Sequence, residues 1–179
     1  MKLRVLAISG SLRRVSSNMA LLQAAALVAP DGMEVVLTET VGALPHFNSD
    51  LDGAEPSVVQ AWREELRAAG AILISSPEYA HGVPGALKNA LDRAVSSGEL
   101  SAKPVALWNA SPRATLAQAS LAEIVRTMDA KPCEAAGVTL PLLGKGLDAA
   151  GIVAVSAWAA ELRGALGTLR KAAESAPAN

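Results

Sequence analysis

Between residues 9 and 18 the chain carries four serine hydroxyls (Ser9, Ser11, Ser16, Ser17), the amide of Asn18 and the guanidinium groups of Arg13 and Arg14, with Gly10 among them. That set suits a phosphate dianion. Hydroxyls and backbone N–H groups donate to phosphate oxygens, and Arg13 can make a bidentate, charge-assisted contact. An Ala- and Leu-rich stretch, 19–28, follows and reads as a helix, whose start adds free N–H groups and a positive dipole end. Ser16 or Ser17 as a plain helix cap is the simpler alternative. It uses one hydroxyl and explains neither Gly10 nor the arginines. No G-x-x-x-x-G-K-[ST] and no G-x-G-x-x-G is present, which excludes the two common phosphate loops. A loop of hydroxyls rather than glycines points to a terminal monophosphate.

A second polar stretch, 76–83, reads Ser-Pro-Glu-Tyr-Ala-His-Gly-Val, with Pro84 and Gly85 next. Its prolines and glycines restrict it to few conformations, and Tyr79 with the loop N–H groups can flank a flat heterocycle. A third, 109–113, contains Ser111. His81 is better placed than His46 to meet a ligand, but the two are not at metal-ligand spacing and no metal is expected. Cys133 is the sole cysteine, which rules out an intrachain disulfide and a CxxC site. No nucleophile–base set is evident, so no catalytic side chain is assigned.

These loops need strands and helices to hold them. Residues 3–8, 33–37, 71–75 and 104–108 read as short apolar strands, and a fifth lies within 133–140. Helices are expected over 19–28, 56–69, 84–95, 116–128 and 152–169, with 41–52 and 142–151 as loops. In the second helix Val59, Trp62, Leu66 and Ala69 share a face. Alternating strands and helices predict one three-layer α/β domain over 1–179, with 171–179 as a frayed tail. The core must be aliphatic, because 51% of residues are hydrophobic but only 3% are Phe, Trp or Tyr. A net charge of −1 without basic runs argues against nucleic-acid or anionic-membrane partners. No run approaches the roughly 20 apolar residues of a membrane span, and the start lacks a signal-peptide pattern, so the expected location is cytoplasmic.

Gly10-Ser11-Leu12-Arg13, Ser16-x-Asn18, Pro77-Glu78-Tyr79 and Pro84-Gly85-x-Leu87-Lys88-Asn89-x-x-Asp92 together resemble the NAD(P)H-dependent FMN reductase family, which includes quinone, azo-dye and chromate reductases. The resemblance covers residues 2 to about 169. It implies a flavodoxin-like fold with a five-stranded parallel sheet in the order 2-1-3-4-5 and helices on both faces. It implies FMN as cofactor, NADPH or NADH as co-substrate, and hydride transfer by ping-pong to a quinone, free flavin or other small acceptor. Ser11, Arg13, Ser16 and Asn18 would hold the FMN phosphate, with Ser9 and Ser17 beside them. Pro77, Glu78, Tyr79, Ala80, His81 and Gly82 would line the isoalloxazine, and Ser111 would approach the ribityl chain or ring edge. Arg113 or Arg14 would meet a nicotinamide 2′-phosphate. A homodimer or homotetramer is implied. The chain departs from the pattern at Ala80, where many members carry Asn, and at 112–115, where a glycine-rich stretch is usual. Two other readings are a flavodoxin-type electron carrier, which is usually far more acidic, and a flavin-free module for another phosphorylated ligand.

Overall fold

A computed structural model describes residues 2–51 and 56–176. Strand β1 (Leu3–Ser9) is central and pairs with β2 (Met33–Leu37) on one side and β3 (Ala71–Ser75) on the other. Strand β4 (Pro104–Asn109) follows beside β3, and all pairings are parallel. The fifth position is shared by two short pieces on β4: β5 (Lys131–Pro132) and β6 (Val138–Thr139). The order is therefore 2-1-3-4-5, as the resemblance implies, with its last position divided.

Side-chain alternation along these strands creates two cores. Val5, Ala7, Leu73 and Trp108 face α1 (Ser17–Leu27), α5 (Ala149–Ala154) and α6 (Ser156–Ser175). Leu6, Ile8, Ile72 and Ile74 face α2 (Ser57–Ala68), α3 (Gly85–Asp92) and α4 (Thr115–Thr127). Both faces of the sheet are covered, which is why its strands read as continuous apolar runs. Helix α1 buries Leu21, Leu22, Ala24 and Ala25. It is apolar on most sides because it sits between the sheet and α5. On α2, Val59, Trp62 and Leu66 are buried on one face, as expected, and the Trp62 indole N–H donates to the Ala90 carbonyl of α3 at 2.9 Å.

Three expectations need correction. The fifth strand is not continuous, because Pro132 lacks an N–H and residues 134–136 turn as a 3-10 segment that leaves the ladder. The final helix is two helices, since Val155 is extended (φ −82°, ψ 101°) between Ala154 and Ser156. It also starts earlier than expected, because the Asp148 carboxylate accepts from Gly151 N at 2.8 Å and caps α5. Residues 171–175, expected to fray, continue α6, where Arg170 pairs with Glu174 at 2.8 Å. The remaining tail, 177–179, and Asp52 at the end of the expected loop lie outside the described residues. Within that loop, Thr40–Ala43 and Ser49–Leu51 form short 3-10 turns. No described helix is long and apolar enough to cross a membrane.

Candidate functional site

The chain runs from β1 to β2 on one side and then crosses to β3 on the other. The point of reversal lies between β1 and β3, where open parallel sheets leave a crevice at their carboxyl ends. The loops after β1, β3 and β4 all meet there. They enclose a cavity of about 280 Å³ lined by Ser11, Arg13, Ser16, Ser17, Asn18, Pro77, Glu78, Tyr79, Asn109, Ala110, Ser111, Arg113, Ala114 and Leu143.

The first loop is shaped by its own hydroxyls. Ser9 Oγ accepts from Ser11 N and donates to Ser11 O, both at 3.1 Å. Ser11 Oγ in turn accepts from Arg13 N at 3.4 Å. Ser16 caps α1 by accepting from Met19 N at 3.5 Å. This role leaves its other lone pair and its proton available to a ligand. Gly10 is required by close approach: a Cβ there would stand 2.3 Å from Ser76 Oγ. This contact joins the loops after β1 and β3. The Ser75 hydroxyl donates to Asn18 Oδ1 at 2.9 Å, so the Asn18 amide keeps both N–H donors for the cavity side. Neither the Arg13 nor the Arg14 guanidinium has a protein partner among the described residues.

The second loop is held from a distance. Glu78 Oε2 accepts from Ala117 N at 2.9 Å, in the first turn of α4. Helix α4 has no side-chain cap of its own at Ala114. Glu78 therefore caps it across the cavity and ties the loop after β3 to the segment that carries Arg113 and Ala114. Its other oxygen faces His81 Nδ1 at 3.1 Å. The Ala117 N–H, then the His81 contact, hold the Glu78 carboxyl below its usual range, against the opposing effect of burial. The contribution to stability is full above the unfolded-state carboxylate pKa of roughly 4.3 and is lost as pH falls through the lower folded value. Replacing Glu78 by Gln should flatten the fall in melting temperature between roughly pH 5 and pH 3 relative to the parent chain, measured by circular dichroism.

Beyond Tyr79 the backbone makes a tight turn. Tyr79 and Gly82 exchange both backbone hydrogen bonds, at 3.1 and 2.9 Å. Ala80 and His81 between them hold φ of 49° and 60°, the type I′ arrangement. Asn adopts that left-handed conformation more cheaply than Ala, which gives the family's usual Asn at this position a conformational reason. The third loop is organised by Asn109. Its Oδ1 accepts from Ser111 N at 2.9 Å and its Nδ2 donates to Ala114 O at 3.1 Å.

Nine of the thirteen residues singled out from the sequence line this one cavity: Ser11, Arg13, Ser16, Ser17, Asn18, Pro77, Glu78, Tyr79 and Ser111. Four do not. Ser9 is buried beneath the loop it shapes. Ala80, His81 and Gly82 fold outward in the tight turn, with Ala80 and His81 exposed to solvent. Asn109, Ala110, Ala114 and Leu143 are additions, and Arg113, expected at a nicotinamide phosphate, lines the cavity too. Asn109 carried a signal, a polar residue closing an apolar strand; Leu143, in a glycine-bordered loop, carried none.

Chemically, the lining is of two kinds. Arg13, the Ser11, Ser16 and Ser17 hydroxyls, the Asn18 amide and the start of α1 offer donors to an anion. Tyr79, Pro77, Ala110 and Leu143 present flat or apolar surface, with Tyr79 and Leu143 half exposed. Its lone lining acid, Glu78, is already engaged with Ala117 and His81. A ligand with a phosphate, a polar chain and a planar ring matches that combination, and FMN has this form. Because the volume is at the small end for ligand pockets, such a ligand keeps one side open to solvent. Among the described residues no group of three His, Cys, Asp or Glu is placed to hold a metal.

The profile of the family described as NADPH-dependent FMN reductase matches residues 3–142. An NAD(P)H-dependent FMN reductase of Pseudomonas aeruginosa is 43% identical over 112 residues, which are 61% of this chain and 60% of that protein. A quinone reductase of Pseudomonas putida is 37% identical over 114 residues, 62% of this chain and 61% of the relative. The chain thus spans about three fifths of the length of these relatives. A flavoenzyme NAD(P)H:(acceptor) oxidoreductase of Paracoccus denitrificans shares the fold with a TM-score of 0.72 at 25% identity, over 94% of this chain and 97% of that one.

Proposed function

The chain belongs to the NADPH-dependent FMN reductase family, and from that premise we propose that it is an FMN-dependent NAD(P)H oxidoreductase of the cytoplasm acting on a quinone or another small acceptor. The observation that carries the reading is one cavity, at the point where strand order reverses, lined both by donors to an anion and by flat or apolar surface. Arg13, Ser11, Ser16, Ser17 and Asn18 hold the phosphate. The backbone around Pro77–Tyr79, fixed by the Glu78 cap, and Ser111, fixed by Asn109, hold the ring and the chain leading to it. FMN, when bound, supplies the hydride-accepting and electron-donating chemistry. The side chains bind and orient; none is asked to move a proton. The ring face left open between Tyr79 and Leu143 admits nicotinamide and acceptor in turn, which gives ping-pong kinetics.

Arg113 lines the cavity beside Ser111 and is placed to meet the 2′-phosphate that distinguishes NADPH from NADH. Replacing Arg113 by Ala should lower the NADPH/NADH ratio of kcat/KM about tenfold, the loss of one charge-assisted bond. An unchanged ratio removes Arg113 from this role. Exposed Leu12, Val15 and Leu116 stand next to the lining segments without lining the cavity themselves. A second copy of the chain covering this apolar rim accounts for them, as a dimer or tetramer that sedimentation would resolve.

The decisive experiment is an anaerobic visible spectrum of the FMN-loaded protein before and after NADPH, then NADH. Bleaching of the flavin band by either nucleotide supports the reductase. A bound flavin that neither bleaches indicates an electron carrier. No flavin after reconstitution indicates a different phosphorylated ligand.

A further inference from the structure

At the opposite, amino edge of the sheet, a cleft of about 580 Å³ lies between the starts of β1 and β4 and the ends of α2 and α6. Lys2, Arg4, Arg67, Lys103 and Arg170 line it, with Glu174 as the single acid among its lining residues. Three of the five cations are engaged. Arg67 pairs with Glu64 at 3.2 Å and with buried Glu99 at 2.8 Å. Lys103 Nζ donates to Ala69 O at 2.6 Å, at the end of α2. Arg170 pairs with Glu174 and donates to Asp31 O, both at 2.8 Å.

Arg4 and Lys2 are different. Neither side chain has a partner among the described residues. Arg4 Nε is sealed from water with no acceptor. Glu34 stands beside Arg4 across the β1–β2 register, yet the two form no ion pair. The Arg4 guanidinium and the Lys2 ammonium thus bring to this cleft positive charge that no carboxylate pairs with, and such charge concentrates anions. Burial also pushes the Lys103 ammonium below its ordinary range, with Glu99 opposing; a bound anion would oppose it further.

We propose that this cleft is a second ligand site, which binds the oligophosphate group of a small molecule through Arg4 and Lys2, with Lys103, Arg67 and Arg170 around it. The chemistry follows from the lining. Guanidinium groups match phosphate oxygens in pairs. Several cations spread around one cleft suit several linked anionic groups rather than one. The apolar lining is Leu3, Pro104 and alanines, with no aromatic side chain, so a nucleobase finds no stacking platform. The cleft reads phosphate and not base. Arg4 and Ser9 are five residues apart on β1, about 17 Å at strand rise, so this cleft and the cofactor cavity are separate.

The test uses the FMN-loaded protein at low ionic strength, with tripolyphosphate as the probe and calorimetry and amide chemical shifts as readouts. The expected result is saturable binding that shifts the amides of Arg4, Gly32 and Gly70 and leaves those of Ser11 and Ser17 in place. Arg4→Gln should weaken it at least tenfold, and Lys2→Gln should weaken it severalfold. ATP should bind within about twofold of tripolyphosphate, and adenosine should not bind. Titration without saturation, shifts confined to Ser11 and Ser17, or full affinity in Arg4→Gln would each overturn the proposal. ATP binding tenfold tighter than tripolyphosphate would overturn the assignment to phosphate alone.

Discussion

Replacing Arg13 by Ala should raise the Kd for FMN by about 10- to 150-fold, the equivalent of 1.5–3 kcal/mol for one hydrogen bond to a charged group. Arg13 lines the cavity, and its guanidinium has no partner among the described residues to lose. The substitution therefore removes a ligand contact without exposing an unpaired group elsewhere. The melting temperature of the FMN-free protein should stay within about 2 °C of the parent, since surface changes of this kind are close to neutral. Riboflavin, which lacks the phosphate, is the control: its affinity should not change. Flavin fluorescence titration measures both. Equal losses for FMN and riboflavin would place Arg13 at the ring instead, and no loss for either would remove the loop after β1 from phosphate binding.

The second large effect is on stability. Trp108 is buried at the end of β4, and its indole N–H donates to Ala136 O at 2.8 Å. It fills the core against α6 and fixes the 3-10 turn that interrupts the fifth strand position. Trp108→Ala should lower the unfolding free energy by about 3–5 kcal/mol, as other large-to-small core changes do. Trp108→Phe keeps most of the volume and loses the N–H bond, leaving a smaller loss of about 1–3 kcal/mol. Urea unfolding of the three chains separates the terms. Trp108 immediately precedes Asn109, which positions Ser111 and Ala114, so FMN affinity should fall along with stability in Trp108→Ala.

Much of the architecture was legible because its signals are local. Ala71–Ser75 and Met33–Leu37 are short apolar runs bounded by turn residues, and both are strands over those residues. That the loops after β1 and β3 meet at one cavity was legible because hydroxyls, arginines and prolines sit where strands end. What was not legible depends on contacts between distant segments. The Glu78–Ala117 bond spans 39 positions, and nothing near Glu78 announces a helix that needs a cap. Ser9 looked like a donor to ligand because its neighbours did, whereas its hydroxyl is engaged with the backbone of Ser11. The outward turn of Ala80 and His81 runs against the usual avoidance of left-handed backbone by residues with a Cβ. The interruption at Val155 had a faint local sign, the β-branched Ile152, Val153 and Val155 before Ser156, but the helical pattern on either side outweighed it.

The divided strand beside β4 also bears on how the molecule behaves in a crowded solution. A sheet edge is a template on which any extended chain can add itself, and long flat edges lead to fibrous aggregates. Here that template is broken into two pieces of two residues each, one containing Pro132, which offers no N–H. Between them the chain turns out of the ladder at Glu134–Ala136. A foreign strand arriving at this edge meets at most two rungs before it must bridge a gap. At the other margin, β2 is five residues long with exposed Glu34 near its start, and a charge there resists the same approach. The irregularity that hides the fifth strand from a reader of the sequence also hides the sheet from unwanted partners.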